Sequence, residues 1–154
     1  MIKIPVQMKA GICVAVLLFL SGCASVDYVQ DASSRVQAGD WSKMQTVSVI
    51  LKEYSYTPSE LRFKTGVPYK LQIQNKGSSK HYFTSEEFFK GIATRKVQSN
   101  ADGEIKAPYF SALEVFPDRS LDLYFIPVKK GTYRLHCTIT GHEAKGMHGV
   151  IVIE

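Results

Sequence analysis

Cysteine is scarce in this chain, with three in 154 residues. Cys13 lies inside an apolar N-terminal run and Cys23 at its end, so only Cys137 remains for the body of the chain. That body can form no internal disulfide and must hold itself together by a packed core. Long apolar runs are also missing. The stretch from Ala10 to Leu20 is continuous but too short to span a bilayer as a helix. Positive charge is modest: the formal net charge is +5, and Lys3 and Lys9 both fall before residue 23. The remainder carries 17 basic against 14 acidic side chains, a net +3, which is ordinary for a solvated surface. Arg95-Lys96 and Lys129-Lys130 are the only adjacent basic pairs, and no basic stripe is interleaved with aromatics. The composition therefore argues against nucleic-acid binding. There is no internal repeat and no low-complexity segment.

The hydrophobic share is 45%, enough for a buried core, and the length suits one compact domain. From Thr46 the apolar period is two. Val47, Val49 and Leu51 alternate with polar neighbours or face the opposite side, as do Leu61 and Phe63, then Tyr69, Leu71 and Ile73. Leu121, Leu123 and Phe125 repeat the pattern, then Tyr133, Leu135 and Cys137, and the chain closes on Val150 to Ile153. Turn residues separate the runs at Thr57-Pro58, Thr65-Gly66, Lys76-Gly77, Pro117-Asp118 and Lys130-Gly131. Short strands at this spacing predict an all-β sandwich or small barrel. One stretch departs from it. Thr84 and Glu87 have capping-box spacing, and Phe88, Phe89, Ile92 and Ala93 supply an apolar face. A short helix from Ser85 to about Val97 is expected, inside an insertion that runs to about Pro117 and packs on the sandwich. Tyr109, Phe110 and Phe116 in that insertion are expected to join the core, with partner docking as their alternative use.

At the N-terminus, Lys3 and Lys9 precede the apolar run, which ends in Leu20-Ser21-Gly22-Cys23. This resembles a bacterial lipoprotein signal. The resemblance implies a signal peptide over 1–22, a lipid anchor on Cys23, a polar tether over 23–45 and a folded domain over 46–154. It implies a cell-envelope location facing the periplasm. Ala24 after the cysteine implies outer-membrane sorting where two membranes exist. In such an oxidising compartment a lone Cys137 calls for another account, and metal binding is one.

The chemistry gathers in Cys137-x4-His142-x4-Met147, on one loop between two strands. Soft sulfur ligands select copper, and imidazole accepts both of its oxidation states. Two histidines and a thiolate with a weak axial thioether make a blue-copper set, so a second histidine is needed. His81 is the best candidate. His136 adjoins Cys137 on a strand, where neighbours point to opposite faces. His148 is a weaker rival, and Glu143 reads as a solvated loop carboxylate.

Asn75-Lys-Gly-Ser-Ser-Lys-His81-Tyr-Phe, together with Cys137-Thr-Ile-Thr-Gly-His142-Glu-Ala-Lys-Gly-Met147, resembles the cupredoxin family. The loop length is similar to that of its rusticyanin, auracyanin and sulfocyanin branches. The resemblance covers about Val47 to Glu154. It implies a Greek-key fold and one copper ion on His81, Cys137, His142 and Met147. It implies a non-enzymatic electron carrier with a redox partner protein in the envelope; a copper carrier, buffer or sensor is the competing reading. Two positions depart from the family. Tyr82 stands where many members have Asn, and Thr140 where many have Pro; both bear on potential and colour rather than on binding. A binuclear copper centre would need a second cysteine at position 141, which is Gly141. Zinc is disfavoured by the thioether.

Overall fold

The computed structural model describes residues 27–99 and 103–154; the expected signal peptide over 1–22 and the anchor Cys23 lie outside the described residues. The strands are β1 (Gln45–Lys52), β2 (Ser55–Thr57), β3 (Glu60–Phe63), β4 (Tyr69–Asn75), β5 (His81–Thr84), β6 (Ile92–Ser99), β7 (Gly103–Ile105), β8 (Ala112–Val115), β9 (Ser120–Pro127), β10 (Gly131–His136) and β11 (His148–Ile153). The helices are α1 (Ala32–Ala38) and α2 (Glu86–Lys90). One sheet has the order β2-β1-β4-β9-β6-β7, the other β3-β11-β10-β5-β8. β1 pairs with β4 in parallel, and β3 with β11 likewise. A parallel neighbour cannot be reached by a tight hairpin. The chain accordingly leaves the first sheet after β2, adds β3 to the second, and returns as β4. This is an all-β Greek-key sandwich, as the period-two pattern and the resemblance predict.

The alternation explains the core. Along β4, Tyr69, Leu71, Ile73 and Asn75 are buried while the residues between them are not. Leu51, Leu123, Leu135 and Ile151 meet them from β1, β9, β10 and β11. At one end of the sandwich Phe63, Tyr69, Phe88 and Phe125 form an aromatic cluster, with Phe63 edge-on to Tyr69 at 4.9 Å and to Phe125 at 5.1 Å between ring centroids, and Phe88 edge-on to Phe125. Each fully buried phenyl ring contributes about 1.5–3 kcal/mol. α2 closes this end, because its Phe88 and Phe89 point inward. The opposite end, where β4 finishes and β5 begins, is left to the loops.

Three expectations need correction. The helix covers only Glu86–Lys90, not Ser85 to Val97. Gly91 ends it, donating its N–H to the Phe88 carbonyl at 2.9 Å. From Ile92 the chain instead pairs with β9, which would otherwise expose its backbone as a sheet edge. Thr84 is not the cap either. It ends β5, and Ser85 at the N-cap position turns its hydroxyl to the Arg134 carbonyl at 2.6 Å. Second, residues 85–117 are not an appendage: β6 and β7 complete the first sheet and β8 the second. Third, Tyr109 and Phe116 do not enter the core, being 53% and 56% exposed; Phe110 is half-buried.

Residues 27–44, within the span read as a tether, lie against the sandwich. Val29 is buried, and α1 contacts β6 without burying any of its own residues. Trp41 donates its indole N–H to the Val36 carbonyl at 2.8 Å and takes the Arg95 guanidinium over its ring at 4.5 Å. Tyr28 donates to the Phe110 carbonyl at 3.1 Å, and Lys129 pairs with Asp27 at 3.2 Å. No helix among the described residues is long and apolar enough to cross a membrane.

Candidate metal centre

β5 opens on His81, whose backbone pairs with Val115 of β8. Asn75, fully buried at the end of β4, fixes the approach to it. Its amide donates to the carbonyls of Ser79 and Val115 at 2.7 and 2.8 Å, and its oxygen accepts the Gly77 N–H at 2.9 Å. Cys137 follows β10 directly. The loop from Cys137 to Met147 is closed on itself by backbone bonds. Cys137 donates to the Met147 carbonyl at 3.1 Å, Met147 to the His142 carbonyl at 3.1 Å, and His142 to the Ile139 carbonyl at 3.0 Å. A 3-10 turn over Glu143–Lys145 ends at Gly146, whose φ of 110° a side chain would strain. The sequence thus builds a short, internally bonded loop, which holds its side chains more firmly than an open one.

The side-chain atoms of His81, Cys137 and His142 lie within 4.8 Å of one another. The Cys137 sulfur is 3.6 Å from His142 Nδ1, and the two imidazole centroids are 5.3 Å apart. Met147 is fully buried in the same core cluster as Cys137. Both ring nitrogens of His81 are buried and lack a hydrogen-bond partner. Leaving such atoms unpaired is costly, whereas a metal would use one of them. Burial pushes the His81 imidazole below its ordinary pKa, and His142 adds to this, while Glu53 pulls the other way. A neutral ring is the form that ligates. Two nitrogens and a thiol at this spacing, with a thioether on the same loop, fit copper. His136 and His148 stand opposite each other across β10 and β11 and are not in the group.

Several neighbours escaped the sequence reading. The Tyr82 backbone N–H donates to the Cys137 sulfur at 3.4 Å, a tie that needs no asparagine at that position. The Tyr82 carbonyl in turn accepts from the Tyr56 hydroxyl. Glu53 and Tyr54, the two residues of the β1–β2 turn, reach one histidine each. Glu53 Oε1 is 3.7 Å from His81 Nε2, and the Tyr54 ring meets His142 edge-on at 5.1 Å. No local signal marks either residue, since a hairpin turn with a polar and an aromatic side chain is ordinary. Only the pairing of β1 with β4 brings that turn beside the His81 strand. Glu143 is not a free carboxylate, because Arg134 pairs with it, its Nε at 3.1 Å.

A β-sandwich with two histidines and a cysteine gathered at one end of its core has the organisation of a small copper protein. The sequence profile of the cupredoxin-like domain matches residues 11–153, and the chain belongs to that family, whose cofactor is copper. No curated protein matches the sequence. Among solved structures, auracyanin from Roseiflexus castenholzii is 19% identical, covering 71% of this chain and 96% of its own, at a TM-score of 0.49. A Cu-containing nitrite reductase from Thermus scotoductus SA-01 is 12% identical over 71% of this chain, with a TM-score of 0.55. A multicopper oxidase from Pediococcus acidilactici is 15% identical over 72%, also at 0.55. This chain spans only 30% and 26% of those two enzymes' chains.

Proposed function

We propose that the protein is a one-electron carrier whose single copper is held by His81, Cys137, His142 and Met147. The observation that carries the reading is the pair of buried, unpartnered ring nitrogens on His81 beside a thiol and a second imidazole. When bound, copper supplies the one-electron couple. The chain's own residues do the rest. Cys137 offers the thiolate, steadied by the Tyr82 N–H. His81 and His142 would supply two imidazole nitrogens, and Met147 a weak thioether. The bonded loop would hold Cys137, His142 and Met147 in one arrangement through either oxidation state, while the β5–β8 pairing holds His81. His81, Cys137 and Met147 are buried, whereas His142 is only half-buried and gives the electron its way in and out.

We further read the chain as an envelope lipoprotein anchored at Cys23, on the strength of the N-terminal pattern. Asp27, four residues on, pairs with Lys129, and Lys129 donates to the Gly91 carbonyl beside α2. That end is opposite the donor set. The described chain therefore begins at the end away from the donor set, which would leave the donor face free for a redox partner protein in the envelope.

The test is the visible spectrum after adding Cu(II), with Cys137→Ala alongside. The expected result is an intense thiolate-to-copper band that reductant bleaches reversibly and the variant lacks. Copper bound without that band, and surrendered readily to a chelator, would point instead to a copper carrier. No copper uptake would remove the functional reading.

A further inference from the structure

The β1–β2 turn carries a carboxylate that the proposed ligand set does not use. Glu53 Oε1 accepts the backbone N–H groups of Ser78 and Ser79 at 2.6 and 2.9 Å, and the Ser78 hydroxyl at 3.1 Å. This fixes a negative charge 3.7 Å from Nε2 of His81, just beyond hydrogen-bonding distance. The approach depends on Gly77. A Cβ there would lie 2.7 Å from both Glu53 carboxylate oxygens. The backbone of Gly77 is in no conformation that needs glycine, so the residue's smallness serves this carboxylate. The other charged groups nearby are otherwise engaged. Lys80 pairs with Glu114 at 2.7 Å, Glu143 with Arg134, and Lys145 with the Tyr54 hydroxyl at 3.1 Å.

Resting on the copper reading above, we infer that Glu53 is a positioning residue for His81: it holds the imidazole with its proton on Nε2, leaves Nδ1 for the metal, and lowers the reduction potential. A metal-ligating histidine commonly donates its other N–H to a carboxylate, which orients the ring and makes it more basic. A fixed negative charge beside a ligand favours Cu(II) over Cu(I), because the oxidised site carries one more positive charge. The side chain of Glu53 is 37% exposed, so water screens part of the effect. The expected size is about a tenfold change in the ratio of the two affinities, which for one electron is about 59 mV.

Two readouts test this on the whole protein. The first is nitrogen NMR of the His81 ring in the metal-free protein. The proton is expected on Nε2, and Glu53→Ala should lose that preference. The second is the reduction potential of the copper-loaded protein. Glu53→Gln keeps an oxygen for the Ser78 and Ser79 N–H groups but removes the charge, and should raise the potential about tenfold in affinity ratio. Gly77→Ala, which displaces the carboxylate without changing it, should move the potential the same way. Ser78→Ala should leave it in place. Copper-loaded Glu53→Gln and Gly77→Ala with wild-type potentials would overturn the inference while leaving the copper reading intact. If the wild-type protein takes up no copper, the ring readout decides alone: a proton on Nδ1 of His81 overturns the inference, and one on Nε2 that depends on Glu53 supports it.

Discussion

Tyr54 meets His142 edge-on, with ring centroids 5.1 Å apart and planes at 89°. Its hydroxyl accepts from Lys145, and the same ammonium lies 4.5 Å over its ring. The one half-buried donor of the set is therefore walled by a residue from a different hairpin. Tyr54→Ala should open that wall and speed copper loss to a chelator by about tenfold. Tyr54→Phe keeps the ring and should lose copper at the wild-type rate. Equal rates in all three proteins would show that the wall is irrelevant.

Met147 is fully buried, and its backbone joins Cys137 to His142. Met147→Leu nearly conserves volume and keeps those backbone bonds, so unfolding of the metal-free protein should shift by less than about 1.5 kcal/mol. The copper site should respond more strongly. Loss of the thioether should change the colour and raise the reduction potential. An unchanged spectrum and potential would remove Met147 from the donor set.

Phe88 is fully buried at the end away from the donors, 5.4 Å from Phe125. Phe88→Ala should cost about 3–5 kcal/mol by opening a cavity. The spectrum of the folded, copper-loaded variant should stay that of the wild type. Urea unfolding and the visible spectrum together check the separation; a shifted band would mean that the two ends are coupled.

Asn75 satisfies three backbone groups from the core. Asn75→Ala leaves them unpaired and should destabilise the metal-free protein by about 3 kcal/mol. His81 follows the segment that Asn75 ties down, so copper retention should fall as well. A variant as stable as the wild type would mean that water replaces the amide fully.

β7 is short and exposed, and a charge clamp fastens it to β6. Glu104 lies 2.6 Å from Lys96 and 3.0 Å from Lys106, which hold its carboxyl below the usual carboxylate range. A depressed native pKa contributes stability that is present above the unfolded value and is lost as pH falls through the folded one. Amide exchange across the β6–β7 pairing should therefore speed up below about pH 4.5 relative to the β4–β9 pairing. Glu104→Gln should weaken the pairing at neutral pH and abolish that acid step. The persistence of the step in the variant would assign it elsewhere.

The local sequence carried much of this protein. Alternation over Val47 to Leu51, Tyr69 to Ile73 and Leu121 to Phe125 identified core strands, because a strand with one wet face must alternate. The spacing of Cys137, His142 and Met147 marked a candidate ligand loop, since side chains so near in sequence need no tertiary information to meet. The structure gathers His81 with Cys137 and His142.

The failures were of another kind. Phe88 to Val97 has an apolar face that fits a helix, yet Ile92 to Ser99 is a strand. The unpaired edge of β9 decided it, and that edge lies far away in the sequence. Glu53, Tyr54 and Tyr56 touch the candidate site from a hairpin whose own sequence gives no hint of it. The sequence by itself determined the candidate ligand types and the strands that bury the core, because both are local patterns. Only the tertiary structure decided which carboxylate faces His81 and which ring covers His142, because those contacts arise when the parallel pairing of β1 with β4 brings the β1–β2 turn to the donor loop.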